Sequence, residues 1–294
     1  MIEIIKLTKK DLNKFSNFIS GFPLTSDSLW IGASISDIPC GILMASKDFE
    51  DPSTCNINTL FVVEPLRREG IGSLLLDTFI KECKNLNYKN ITFNSVANKK
   101  AIDEFSLFLK NYGFSPIEIV AVNYTFNDPD SILNCKFVKQ ALSSNLKPPQ
   151  GIKIIPLNRV DSTLIEHNKS RIGLDYPDYY ALFPNDTCSK LNHINTFVAV
   201  AREKEIIGWL TALDVYGKSI YYKTFYVKDE YKKFAIGLFL IGYCIKSHAK
   251  NYRNIPAIFG TSLKNPQADK FHEIYFKGVK KETSYEFITK RKCP

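Results

Sequence analysis

The sequence predicts an α/β protein, with mixed (α+β) central sheets flanked by helices and the whole arrangement built twice in tandem. Three observations predict it. The chain has 294 residues, about two domains at ~150 residues each. It repeats itself at offsets of 150 and 167 residues, too long a period and too few copies for a solenoid. Within each copy, short runs rich in β-branched and aromatic residues alternate with stretches of helical periodicity.

The elements follow in order. Residues 2–7 read as a strand and reappear as residues 152–157, with Asp11 matching Asp161. Each leads towards a helix, with Thr8 and Asn158 as caps. A hairpin joins residues 28–36 to 40–45, and its counterpart joins 196–202 to 206–213; Gly41 and Gly208 mark the match. Next comes a strand, a loop and a helix. Residues 58–63 lead through Gly70 into a helix over 71–86, whose turns are traced by Leu74, Leu75, Thr78, Phe79 and Glu82. Residues 221–227 lead through Gly237 into a helix ending near Ala249. Strands follow at 90–96 and 257–262, then helices opened by Asn98 and Asn265, then closing strands at 119–126 and 283–289. Pro148 and Pro149 stop helix growth after a short helical stretch at 131–142. The domains expected are therefore 1–128 and 151–294, with a linker at 129–150.

Composition bounds the function. Lys+Arg is 39 against 30 Asp+Glu, a net charge of +9 that favours anionic partners without naming one. The basic residues are spread along the chain, so nucleic acid is not the expected partner. The seven cysteines include no CxxC pair and the four histidines are scattered, so no metal site is expected. An odd cysteine count suits a reducing compartment. The start of the chain lacks a signal-peptide pattern, and no apolar run approaches the ~18 residues of a membrane span. A cytoplasmic protein, monomer or homodimer, is the expectation.

The segment that carries chemistry is Val62-Val63-Glu64-Pro65-Leu66-Arg67-Arg68-Glu69-Gly70-Ile71-Gly72-Ser73. It joins a strand to an amphipathic helix. Gly70 and Gly72 permit a tight turn with exposed amides, and the unpaired N–H groups of the first helical turn can hold a pyrophosphate. Arg67 and Arg68 add positive charge beside it. Neither the GxxxxGK[ST] triphosphate loop nor the GxGxxG dinucleotide fingerprint is present. A plain strand–loop–helix turn is the alternative reading.

The run from Arg67 to Gly72 resembles the [RQ]xxGx[GA] acetyl-CoA signature of the GNAT superfamily of N-acetyltransferases, and the order of elements in both copies is similar to that family's. The resemblance covers nearly all of residues 1–126 and, more weakly, 151–294. It implies two tandem GNAT-like domains and acetyl-CoA as cosubstrate. It places Phe61, Val62 and Val63 beside the pantetheine arm and wraps Arg67, Arg68, Glu69, Gly70, Ile71, Gly72 and Ser73 around the pyrophosphate. It adds Asn98 as a polar cofactor contact, although a simple helix cap explains Asn98 as well. The second copy departs from the pattern. Lys232 stands where arginine or glutamine is usual, and Ala235 replaces the first glycine. Alanine is strained in a left-handed turn, so the loop either differs in shape or binds more weakly. A worn site, a second working site, and an inverted division of labour all remain open.

Acyl transfer to an amine needs a neutral nucleophile, a stabilised oxyanion and a protonated leaving thiolate. The resemblance puts the oxyanion near the backbone N–H of Val62 or Val63. It also implies a tyrosine acid on the helix after Asn98, but neither expected register holds one and only Tyr112 is close in type. In the second copy His272 and Tyr275 are the candidates. Glu64 or Asp51 in the first copy, and Asp214 or Glu230 in the second, are candidate bases. Cys55 and Cys83 have no histidine near them in sequence. The expected activity is transfer of acetyl to a primary amine of a small molecule, with loops at 21–28 and 172–191 shaping the acceptor site. The rival is a non-catalytic acyl-CoA-binding sensor.

Overall fold

The computed structural model describes residues 1–19, 27–143, 147–184, 190–263 and 276–294. The described chain divides into two compact units. Unit 1 holds Met1–Ala121 together with Ser284–Pro294, and unit 2 holds Val122–Thr283.

Unit 1 begins with β1 (Ile2–Lys6), antiparallel to β2 (Ser28–Ile35). Residues 9–18 make turns rather than the helix expected after β1. The Asp11 carboxylate accepts both the N–H and the hydroxyl of Thr8, each at 2.7 Å. The asparagine, serine and phenylalanine content of this stretch gives helix little help against that local bonding. β2 turns into β3 (Ile38–Lys47) through Ser36 and Asp37, both at positive φ. That is the twist a two-residue hairpin requires. β4 (Thr54–Val62) follows, then a 3₁₀ turn over Glu64–Leu66 and α1 (Ile71–Asn85). β5 (Asn90–Ala97) and α2 (Lys99–Asn111) continue the unit. The buried stripe of α1 is Ile71, Leu75, Leu76, Phe79 and Cys83. Leu74, expected on that stripe, is 42% exposed.

β6 (Glu118–Phe126) carries the chain into unit 2. There follow α3 (Pro129–Leu133), α4 (Lys136–Ala141), β7 (Ile152–Pro156) and α5 (Ser162–Ser170). Asp161 caps α5, its carboxylate accepting the Thr163 N–H at 2.7 Å; Asn158 lies in a preceding 3₁₀ turn instead. The unit continues with β8 (Lys190–Leu191), β9 (Phe197–Ala201), β10 (Glu205–Val215) and β11 (Ser219–Val227). It then runs through α6 (Asp229–Lys232), α7 (Ile236–Asn251) and β12 (Ala257–Ser262). Its strands lie in the order β6-β12-β11-β10-β9-β7, with β8 on β10. The segment expected as a linker belongs to this core. Ile132 and Val138 are buried with Phe239, Leu240 and Ile241 of α7, and a β-carbon on Gly242 would lie 2.9 Å from Ala141.

The strand Glu282–Lys292, β13, completes unit 1. It runs antiparallel to β5 from Tyr285↔Ala97 to Lys292↔Asn90, giving the order β1-β2-β3-β4-β5-β13. Phe287 meets Phe93 edge to face at 5.6 Å. The Ser115 N–H donates to Lys290 O at 2.8 Å, and the Cys293 N–H to Lys89 O at 2.8 Å. The closing strands thus differ from the sequence expectation. Residues 119–126 do not finish the first copy alone: Phe126 is buried in unit 2 against Phe259 and Phe276. Both segments are rich in β-branched and aromatic residues, a composition that marks a strand without naming its partner.

Candidate active site

β4 and β5 run parallel but pair only from Thr54↔Asn90 to Ile57↔Phe93. Beyond that they part. A bulge drives the divergence: Ala45 opposes Ile57 and Met44 opposes Thr59, so Asn58 is the extra residue on β4. β5 keeps its partner β13 on the far side, so the gap opens on one side only. The backbone of Asn58 to Val62 therefore turns an unpaired edge towards it. The Val63 N–H is spent on Cys40 O at 2.9 Å. By strand alternation the Val62 N–H points the other way, into the gap. Of the two oxyanion donors expected, the geometry leaves Val62.

Past the gap the loop is cationic and open. Arg67 donates from Nε to Val62 O at 3.1 Å, with its guanidinium 5.9 Å from the Phe61 ring centre. Phe61 itself is 39% exposed and touches Phe18. Arg68 adopts φ +71° and reaches Glu104 at 3.5 Å. Glu69 and Gly70 are exposed. Gly70, at φ +80°, is the N-cap of α1. The first intrahelical bond is Leu74 N–H to Gly70 O at 3.0 Å. The N–H groups of Ile71, Gly72 and Ser73 precede it and point out of the helix end. The Ile71 side chain is buried, so only its backbone faces outward. A β-carbon built on Gly72 would find its nearest neighbours 3.9 Å away. An anionic pyrophosphate fits this open, N–H-rich and arginine-flanked surface.

The other expected residues divide clearly. Asn98 caps α2, its Oδ1 accepting the Ala101 N–H at 2.9 Å, which leaves its amide NH₂. Tyr112 packs at the end of α2, its hydroxyl 3.4 Å from Ser73 O, and burial pushes its phenol up. Glu64 is exposed in the 3₁₀ turn at the arginine end of the gap. Asp51 sits before β4 and is held at about 2 by hydrogen bonds from Thr54 and Ser53. That makes it a turn-former rather than a base. The Cys83 thiol is raised by its hydrogen bond with Cys55 and by burial, so Cys83 is not an activated nucleophile. His272 and Tyr275 lie outside the described residues.

Unit 2 repeats the frame with different side chains around it. β11 and β12 pair only from Ile220↔Ala257 to Tyr222↔Phe259. The bulge recurs with Lys223 as the extra residue. Ala235 takes Gly70's place as N-cap of α7 at φ +57°, so the turn survives without its glycine. Lys232 pairs with Asp229 at 2.5 Å. The difference lies over Gly237, where a β-carbon would come within 2.6 Å of the Phe225 ring. Phe225 therefore covers the first turn of α7, where the matching place on α1 is bare. The opposite face is filled as well. Tyr176, Trp209 and Tyr226 pack with ring centres 4.6 to 5.4 Å apart. The Tyr176 hydroxyl donates to Asn168 O at 2.7 Å. Lys228 joins Asp175 at 3.2 Å and also pairs with Glu205. The Arg171 hydrogen bond, reinforced by Lys228, holds Asp175 at about 2. A shallow hollow beside these ion pairs includes Arg171, Asp175, Glu205 and Lys228 in its lining, charges already paired with one another. Sequence reasoning missed Phe225 and Lys228. Aligning the two signature strands residue by residue would have set Phe225 on Leu60 and Lys228 on Val63.

Among the described residues no cluster of histidine, cysteine or carboxylate side chains could hold a metal ion, and no helix is long and apolar enough to cross a membrane. No match was found among curated protein sequences. Solved structures share the architecture. A tandem GNAT protein from the clavulanic acid biosynthesis pathway is similar over 100% of this chain and 99% of its own, at 12% identity and TM-score 0.68. A GCN5-related N-acetyltransferase from Sphaerobacter thermophilus is similar over 99% and 96%, at 9% identity and TM-score 0.63. The acetyltransferase (GNAT) family matches residues 7–114 and again 163–276. With two such matches laid over two splayed-strand units, the chain belongs to the GNAT family of acetyltransferases, as a tandem two-domain member.

Proposed function

We propose that this chain is an N-acetyltransferase that moves an acetyl group directly from acetyl-CoA to a primary amine, with unit 1 as the working site and unit 2 as a degenerate copy. Family membership supports acetyl-CoA-dependent acetyl transfer in general. The observation that carries the finer reading is the contrast between two helix starts: Gly72 is open, and Gly237 lies under the Phe225 ring. Acetyl-CoA supplies a thioester-activated acetyl group. Arg67, Arg68, Glu69, Gly70, Ile71, Gly72 and Ser73 would hold its pyrophosphate, chiefly through backbone N–H groups and the two guanidiniums. The β4 edge at Phe61, Val62 and Val63 would align the pantetheine arm, and the Asn98 amide would add a contact. The Val62 N–H, fixed by the bulged strand, would stabilise the oxyanion.

Calorimetric titration with acetyl-CoA tests this. One site per chain is expected. Arg67→Ala should weaken binding about 10- to 100-fold, the range of a charge-assisted hydrogen bond, without moving the unfolding midpoint. Two sites would overturn the degenerate reading of unit 2. No binding would overturn the transfer reading itself. One observation favours a second reading, a non-catalytic acyl-CoA sensor: the only tyrosine of the α2 segment has its hydroxyl against Ser73 O. Tight acetyl-CoA binding without amine-dependent thiol release would decide for it.

A further inference from the structure

Glu286 lies on β13 directly across from Val96 of β5. Its neighbours fix the way it faces. Phe287 packs on Phe93, which also meets Phe105 of α2, and the Thr289 hydroxyl bonds Ser115 O just after α2. Those residues lie on the helix-bearing face, so Glu286 lies on the other. On β5 the same alternation sends Ile91 and Phe93 into the helix-side core and Asn94 and Val96 the opposite way. On β4, Leu60 and Val62 pack with that core while Phe61 meets Phe18. The far face of the gap is therefore banked by Phe61 on one side and Val96 on the other. Glu286 stands one strand spacing, ~4.8 Å, behind Val96.

Glu286 as a residue is half-buried, and among the described residues no hydrogen bond or ion pair engages its carboxylate. The nearest cation on its own face of β13 is Lys290, about 13 Å along the strand. Val96 beside it is 53% exposed, and Phe61 across the gap is 39% exposed, so the gap has an open apolar border. A carboxylate with no partner keeps its acceptor sites for the N–H groups of an ammonium. We propose that Glu286 is the acceptor's counter-ion and general base: it binds the ammonium of an incoming primary amine whose adjoining carbons rest on Val96 and Phe61. This rests on the reading of unit 1 as the transfer site. The ammonium gives one proton to Glu286 and the freed lone pair attacks the thioester carbonyl. The C–N bond forms and the C–S bond breaks. The nitrogen's second proton goes to the departing thiolate, and Glu286 releases its own to water. Asp51 cannot take this part, because hydrogen bonds from Thr54 and Ser53 engage its oxygens and hold it at about 2, too weak a base, and Glu64 lies at the pyrophosphate end of the gap.

The test compares wild type, Glu286→Gln and Glu286→Asp. Thiol release is measured with spermidine, tyramine, glucosamine and lysine. Acetyl-CoA affinity is measured by calorimetry, and the best amine is titrated into protein saturated with CoA. Glu286→Gln should keep the acetyl-CoA affinity and the unfolding midpoint. It should lose about 10²- to 10⁴-fold in kcat/KM and bind the amine at least about tenfold more weakly, while Glu286→Asp recovers part of both. Wild-type turnover and amine binding in Glu286→Gln would overturn the role and leave the transfer reading standing. Lost acetyl-CoA affinity in that variant would also overturn it. A wild type that binds acetyl-CoA but accepts none of the amines would overturn both readings.

Discussion

Ala235 holds a backbone conformation that disfavours any β-carbon, at φ +57°. The penalty is about 1 kcal/mol relative to glycine, so Ala235→Gly should raise the unfolding free energy of unit 2 by about that amount, seen as a higher urea midpoint with an unchanged slope. An unchanged or lower midpoint would mean the turn is not strained. His248 makes a second case. It is 1% exposed, with Nε2 2.7 Å from Ile255 O and Nδ1 3.0 Å from the Tyr222 hydroxyl. Nε2 must carry the proton to meet a carbonyl, so Nδ1 accepts from Tyr222, whose oxygen also receives the Asn195 amide. Burial lowers His248 below its ordinary 6.5. The unfolded chain therefore takes up the proton first. Its contribution to stability is complete above pH ~6.5 and is lost as the pH falls through the lower folded value. Urea titrations at pH 7.5 and 5.5 should show a drop that His248→Gln reduces. An equal drop in the variant would assign it elsewhere.

At the scale of elements, the parts with a local code were legible. The glycine-flanked loop, the amphipathic α1, the hairpins and the helix opened by Asn98 could all be read from spacing and capping. Asn58 and Lys223 could not, because a bulge reflects how two strands pair rather than what one strand prefers. The placement of β13 was hidden for the same reason. Tyr285-Glu286-Phe287 alternates like any half-buried strand, and only three-dimensional pairing sets it beside β5. Glu286 escaped notice as a consequence, since its chemistry depends on that neighbour. Phe287→Ala should remove the ring that meets Phe93, at a cost of ~3–5 kcal/mol. Hydrogen exchange should show β4, β5 and α1 losing protection while α7 keeps its own. A uniform loss across both units would contradict the assignment of β13 to unit 1.

Over the whole molecule, duplication has produced one frame in two states. Both units keep the hairpin, the bulged strand, the splay and the left-handed helix cap. They differ over the helix start, where Gly72 is open and Gly237 lies against the Phe225 ring. If the Phe225 ring is what closes unit 2, Phe225→Leu, which restores the residue found at Leu60, should uncover Gly237. A second, weaker acetyl-CoA site in calorimetry would support this, and a persistent single site would place the block elsewhere. Unit 1 is also discontinuous in the chain, its sheet drawing on residues before Ala121 and after Ser284. That has a consequence in time. At ~5–20 residues per second of synthesis, β5 leaves the ribosome about 10 to 40 seconds before β13 does. During that interval β5 shows an unpaired edge, while the apolar face of α1 waits on an unfinished sheet. If Glu286 plays the part proposed for it, the site of unit 1 is completed only once β13 has emerged.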